Sequence, residues 1–444
     1  VVSIVNQDGS NEGFNDPTPT TPVGGNGGTT LGEQRLIVFQ TAAAIWGQVL
    51  DSSVEIRVEA QFDSLSCNPF SAVLGSAAAL VVVRDFPNAP FSGTWYPVAL
   101  ANAFEGSDLS PGSNDITATF NSRIDNNNGC LQNVNWYLGL DHQHGADIDL
   151  LTVVLHELGH GLGFASFVNE STGAEFFGFP DIFGVFSLDL DAGLHWDEMT
   201  TNAQRQASAV NTGNLVWNGS LVTNEAAGFL TSGTNGGSVR LYAPNPVQPG
   251  SSVSHYDSVA SPNLLMEPAI NSDLASDLDL SDELMEDIGW VLLRCRDGID
   301  NDDDGFTDFP DDPGCESDLD PTEKDDSGFL LCDDGIDNDD DGFTDFQTGP
   351  EGDPGCRDPG WGLEDPQCQD GANNDGKVGT DFDGGESILG AGNGDPDGPD
   401  PQCVNKPWRN QENLFPSPRC GLGFELVLLM APFRWASGRR RRVA

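Results

Sequence analysis

His156-Glu157-Leu158-Gly159-His160 sets two imidazoles four residues apart with a carboxylate between them. On a helix, residues at i and i+4 share a face, so both rings can reach one ion. Zinc favours such nitrogen ligands, and a catalytic zinc takes three protein ligands and keeps a fourth position for water. Glu157 would stand beside that position and take a proton from a water whose pKa the metal has lowered. The bland alternative is a pair of histidines on a solvated helix face. The apolar Leu151, Val154, Leu155 and Leu158, and the exit through Gly161 and Gly163, speak against it.

The third ligand has to be found elsewhere. The longer pattern H-E-x-x-H-x-x-G-x-x-H is matched through Gly163, but its last position holds Ser166, a poor zinc ligand. His142, His144, His195 and His255 remain. His255, in Ser254-His255-Tyr256-Asp257, stands eleven residues before Met266, in Leu265-Met266-Glu267-Pro268. A methionine shortly after the third histidine resembles the metzincin Met-turn, in which a tight turn lays an apolar floor beneath the metal. The expected zinc ligands are therefore His156, His160 and His255, with Glu157 as general base and Met266 as the floor. His195, in Leu194-His195-Trp196, is the rival, against its reading as a packing or surface histidine; a site with no third protein ligand is the other alternative. His142 and His144 read as structural or substrate-side residues.

A second set of chemistry-bearing residues lies further on. Asp300, Asp302, Asp304, Asp308 and Asp311 form D-x-D-x-D-G-x-x-D-x-x-D around Gly305, and Asp337, Asp339, Asp341 and Asp345 repeat its first part around Gly342. Calcium wants six to eight hard oxygens, which alternate aspartates in a turn can bring to one point while glycine permits the bend. Without a cation such carboxylates repel one another. These nine residues are the expected calcium ligands. A third copy, Asn373-Asn374-Asp375-Gly376 with Asp381, is shortened. A solvated acidic spacer is the competing reading.

Together, H-E-x-x-H-x-x-G-F, a long insertion, a distant histidine and a Met-turn resemble the leishmanolysin branch of the metzincin metalloproteases over residues 30–290. The resemblance implies a metzincin-like zincin domain that hydrolyses peptide bonds in protein or peptide substrates. The acidic copies are similar to thrombospondin type 3 repeats. The C-terminal tail resembles a bacterial tripartite sorting signal of the GlyGly type: Cys420-Gly421-Leu422-Gly423, an apolar segment, then Arg439 to Arg442. That resemblance implies a sorting protease as partner, processing or modification at Cys420, transient membrane contact through the tail and a place at the outer cell surface.

Several elements must position these residues. Thr30-Leu31-Gly32-Glu33 fits a capping box opening a helix with Leu36, Ile37, Phe39, Ala43, Trp46 and Leu50 on its apolar face. Strand patterns follow at 54–58, 79–83 and 116–120. Asp147 or Asp149 is expected to cap the helix carrying His156 and His160. A closing helix is expected over 279–290. The fold class is α/β, a mixed sheet with a long helix before it and another after. The expected domains are 1–292, with a loop-rich insertion over 165–254; acidic repeats over 293–404; a linker over 405–419; and a tail over 420–444.

The chain has 444 residues and a net charge of −51, and about half of its acidic residues lie between Cys295 and Cys403. Such a surface repels nucleic acid and anionic membranes and attracts cations. Of nine cysteines, eight fall into local pairs: 67 with 130, 295 with 315, 332 with 356 and 368 with 403. That grouping fits disulfides formed in an oxidising compartment, and hence a secreted protein. Each bridge would contribute roughly 3 kcal/mol to segments with few apolar residues. An intact Glu157 favours an endopeptidase over the alternative, a surface adhesion or scaffold protein whose metzincin fold is no longer used for catalysis.

Overall fold

In the computed structural model, Thr30 caps α1 (Leu31–Val49) with the expected reciprocal pair: its hydroxyl accepts the Glu33 N–H at 3.2 Å, and Glu33 accepts the Thr30 N–H at 3.2 Å. The structure describes residues 1–410 except 126–128, 272, 275–277, 326–329, 340–341, 349–351, 371, 375, 377–378 and 383–397. The chain divides into two units, Val1–Asp297 and Gly298–Ala444.

The first unit is mixed α/β. Its main sheet runs, in spatial order, Val2–Asn6, Ile56–Asp63, Ile116–Asn121 and Gly75–Ala79. The first three strands are mutually parallel, and Gly75–Ala79 is an antiparallel edge strand. Ile56, Val58, Ala60 and Phe62 are buried on one face, as are Ile116, Ala118 and Phe120. Successive strand residues point to opposite faces, which is why only this alternate set is committed to the core.

Against that face lie α1 and α3 (Leu150–Leu162); α2 (Val98–Glu105) follows a short hairpin between them in sequence. Phe14, Phe39, Phe62 and Phe120 pack as edge-on and tilted rings with centroids 4.6 to 6.0 Å apart. Trp46 donates from its indole to the Leu155 carbonyl at 3.1 Å, pinning α1 to α3, and Trp290 does the same to Leu162 at 3.1 Å. Disulfide Cys67–Cys130 ties the segment before the edge strand to a later loop.

The stretch 165–254 is more ordered than its loop-rich composition suggests. It holds α4 (Ile182–Phe186), α5 (Asn202–Ser208), α6 (Ser220–Phe229) and an antiparallel five-stranded sheet. Its strands, Leu194–His195, Ser187–Asp189, Leu215–Trp217, Ser238–Arg240 and Thr234–Asn235 in spatial order, are two or three residues long. Runs that short leave no legible period-two pattern. The expected strand at 79–83 is displaced: the run ends the edge strand at Ala79, and only Val82–Val83 pair again, with Tyr96–Pro97. The closing helix is α7, Leu280–Asp287.

Among its described residues the second unit has no helix and no strand. It is held by turns, by aspartate side chains bonded to backbone N–H groups, and by disulfides Cys332–Cys356 and Cys368–Cys403. Cys295 and Cys315 are also disulfide-bonded. The backbone recurs from repeat to repeat: Phe346 N–H donates to Cys332 at 2.9 Å, and Phe382 to Cys368 at 3.0 Å. Disulfides at this density belong to chains that mature in an oxidising compartment. No helix among the described residues is long and apolar enough to cross a membrane.

Candidate active site

Asp149 starts α3, accepting the Leu151 N–H at 3.1 Å and the Thr152 hydroxyl at 3.0 Å. His142, on the preceding loop, is bonded through Nδ1 to the same carboxylate. The helix then carries His156 and His160 on one face and stops at Gly163, whose φ of +147° lets the chain leave the axis. Gly159 and Gly161 are required by close approach. A Cβ at 159 would lie 2.9 Å from Met266 Sδ, and one at 161 would lie 2.4 Å from Ile116 Cγ2 in the sheet. Met266 is thus fully buried against the underside of the H-E-x-x-H turn.

The third ring comes from the segment after the insertion. The Tyr256 N–H donates to the Met266 carbonyl at 2.9 Å and the Tyr242 N–H to the His255 carbonyl at 2.8 Å, fixing the backbone on both sides of His255. The Ser166 N–H donates to Ser254 Oγ at 3.1 Å, so the residue at the failed third-ligand position holds the loop that carries His255.

The three Nε2 atoms converge: His156 to His160 at 3.1 Å, His160 to His255 at 3.2 Å and His255 to His156 at 3.3 Å. These contacts are not hydrogen bonds. Each ring's Nδ1 donates to a backbone carbonyl, His156 to Leu265 at 2.7 Å, His160 to Phe164 at 2.7 Å and His255 to Ser251 at 2.8 Å. A carbonyl can only accept, so the single proton of each neutral ring is at Nδ1 and the three Nε2 lone pairs face one another. Burial keeps the rings neutral, lowering His156 to about 3, His160 to about 4 and His255 well below the usual value. Three opposed lone pairs repel one another, and together they could hold a cation. Tetrahedral zinc with bonds near 2.0–2.1 Å would space its nitrogens about 3.3–3.4 Å apart, close to the triangle found. The carbonyl partners supply the outer hydrogen bonds that hold ligand histidines in orientation.

Glu157 lies on the opposite flank of the turn, against the edge strand. It accepts the Ala77 N–H, and a Cβ at Gly75 would fall 2.8 Å from its Oε1, so only glycine leaves it room. Burial pushes its carboxyl up to about 8, with the Ala77 bond opposing. A cleft of about 850 Å³ opens over the triad and Glu157, lined also by the Gly75–Ala77 backbone, His144 and Glu267.

The other histidines lie apart from the triad. His195 is engaged with Glu198 and, through Nε2, with Asn218 at 3.3 Å. His144 donates to the Asp147 carbonyl at 2.7 Å and faces the cleft. Sequence reasoning missed Gly75 and the edge strand, whose one available signal was the small-residue run Gly75-Ser76-Ala77-Ala78-Ala79.

In the first acidic repeat the structure gathers Asp300, Asp302 and Asp304, with ligand oxygens within 4.8 Å of one another. Asp308 and Asp311 stand elsewhere: Asp308 accepts the Gly298 N–H at 3.0 Å and Asp311 is exposed. Asp312 and Asp333 instead join Asp304 in a second buried group. Burial, and after it the neighbouring carboxylates, push Asp304 up to about 7 and raise Asp312 and Asp333. In the second repeat Asp345 accepts the Asp334 N–H at 2.9 Å and the Gly335 N–H at 2.8 Å, as Asp308 does in the first. Asp337 accepts the Gly342 N–H at 3.0 Å and Asp339 lies 3.5 Å from the Gln369 amide. Asp341 and Cys420, and with Cys420 the whole C-terminal tail, lie outside the described residues. Compared with known protein families, characterised proteins and solved structures, the chain shows no match.

Proposed function

We propose that the first unit is a zinc-dependent endopeptidase with a metzincin-like, leishmanolysin-like arrangement, and that the second unit is a calcium-stabilised array of repeats. The observation that carries the catalytic reading is the convergence of three Nε2 lone pairs, from positions 156, 160 and 255, beside the buried carboxylate of Glu157.

His156, His160 and His255 would hold the zinc. When bound there, zinc supplies Lewis acidity, polarising a carbonyl and making a water acidic near neutral pH. Glu157 is the proton carrier: its carboxylate takes the proton of the attacking water and gives it to the leaving amide nitrogen. Its place against the Ala77 N–H limits its motion. The Gly75–Ala79 strand pairs with Ile116–Asn121 along one side and borders the cleft along the other. An extended peptide can add to that edge through main-chain hydrogen bonds, which suits a substrate recognised first as backbone. Met266, packed on Gly159, keeps the floor beneath the histidines apolar.

The test is Glu157→Gln, an isosteric change that leaves the three imidazoles in place. We expect zinc content equal to wild type and casein hydrolysis reduced by about 100-fold or more, the usual contribution of a positioned base. Undiminished turnover in that variant would refute the mechanism. It would also separate an enzyme from an adhesion scaffold, which has no use for Glu157.

A further inference from the structure

The acidic repeats show a ligand set that is not contained within one repeat. In the first repeat four aspartates each spend one carboxylate oxygen on the backbone. Asp300 Oδ2 accepts the Gly305 N–H at 3.0 Å, Asp302 Oδ1 that of Asp304 at 3.3 Å, Asp304 Oδ1 that of Phe306 at 2.6 Å and Asp312 Oδ1 that of Gly314 at 2.7 Å. The other oxygen of each, namely Asp300 Oδ1 and the Oδ2 of Asp302, Asp304 and Asp312, is buried and receives no hydrogen bond among the described residues. So is Asp333 Oδ2, from the second repeat. Asp304, Asp312 and Asp333 are only 1%, 3% and 1% exposed, and their oxygens lie within 4.8 Å of one another. Among the described residues Lys324 is the one ammonium alongside, and it is bonded to Asp345 at 3.0 Å and stands 3.8 Å from Asp302. A single shared ammonium does not satisfy five carboxylates, whereas oxygens at this spacing suit an ion with bonds of about 2.3–2.6 Å.

We propose, resting on the calcium reading above, that each repeat's calcium site is closed by the residue following the first cysteine of the next repeat: Asp333 for the first site and Gln369 for the second. Asp333 follows Cys332, and Gln369 follows Cys368. The arrangement recurs one step along the chain. Gln369 Nε2 lies 3.2 Å from Asp353 Oδ1 and 3.5 Å from Asp339 Oδ2. Asp353, in Asp-Pro-Gly-Cys, is the counterpart of Asp312, and Asp339 is the counterpart of Asp302. Here the Gln369 amide nitrogen faces those carboxylates; turning the amide about its last side-chain bond would present its carbonyl oxygen, a hard ligand without charge, so the second site has one negative charge fewer at this position. The third repeat supplies Asp400 before Cys403, and the next cysteine in the chain, Cys420, lies outside the described residues. The ions act as clamps between successive repeats, so emptying the first site loosens two repeats at once.

Calcium chloride titration of the full-length, zinc-loaded chain, followed by calorimetry, tests this. Asp333→Asn is expected to weaken the first site about tenfold or more, as loss of one ligand charge does, while Asp311→Asn leaves it within about twofold of wild type. Gln369→Glu is expected to tighten the second site, a gain that misfolding cannot imitate. Unchanged affinity in Asp333→Asn, with weakening in Asp302→Asn and Asp312→Asn, would confine the site to one repeat and overturn the clamp while sparing the calcium reading. No tightening in Gln369→Glu overturns it for the second site. A wild-type chain that takes up no calcium removes the calcium reading and the clamp together.

Discussion

His255 reaches the site from 95 residues beyond His160, and a methionine follows both it and its rival, Met266 after His255 and Met199 after His195. The structure separates them by what each ring touches. His255 gives its Nδ1 proton to Ser251 and turns Nε2 to the other two rings; His195 is engaged by Glu198 and Asn218. His255→Ala is therefore expected to lower zinc occupancy by an order of magnitude or more, a loss typical of a removed ligand, with His195→Ala unchanged. Metal analysis of the two purified variants after dialysis decides it, and occupancy that follows His195 instead would reassign the third ligand. The same residue-scale reading explains Ser166. Its hydroxyl donates to buried Asp181 and its N–H to Ser254, so it organises the loop that carries His255.

At the scale of the element, α3 depends on its cap. Asp149 serves Leu151, Thr152 and His142 together. The bond to Asp149 is the leading cause that raises the His142 pKa above its ordinary 6.5, with burial opposing. A histidine whose folded value is raised stabilises the fold below the unfolded value and stops doing so as pH rises through the folded one. The contribution of His142 should accordingly be complete below pH 6.5 and fade above it. The ring is partly solvated, so the effect is modest. An NMR titration of His142 should show a midpoint above 6.5 in wild type that falls in Asp149→Asn; a midpoint at or below 6.5 in wild type would remove the charged pair from the account. The other end of α3 is set by packing. Gly161 lies against Ile116, and that close approach seats α3 on the sheet.

For the whole molecule, the two units are stabilised by different physics. The first buries aromatic and aliphatic side chains between its sheet and α1 and α3. The second has few apolar side chains and no regular element among its described residues, and its buried positions are largely aspartates and disulfide cysteines. A segment of that kind has too little apolar surface to fold on a hydrophobic core. Stripping metals on a chelating resin and returning zinc alone should leave 1–297 resistant to protease while 298–410 is cut; adding calcium should restore protection. Equal cleavage rates with and without calcium, read by mass, would mark the second unit as an acidic spacer.

What the sequence determined by itself is local. The capping box at Thr30, the i, i+4 placement of His156 and His160, the stop at Gly163 and the composition change near Cys295 depend on neighbours within a few residues, and helical periodicity and glycine conformation encode them directly. Tertiary structure decided the rest. The short strands of 165–254 exist because partners distant in sequence supply their hydrogen bonds. Glu157 rests against Gly75 because the edge strand packs alongside α3, a contact no motif records. The acidic repeats make the same point. Spacing alone suggested Asp308 and Asp311, but the left-handed backbone at Asp308, with φ of +56°, turns its carboxylate onto the Gly298 N–H. Asp312 and Asp333 come to Asp304 instead. The linear pattern shows which side chains can bind a cation; the folded backbone decides which oxygens are already occupied by N–H groups, and so which remain for one.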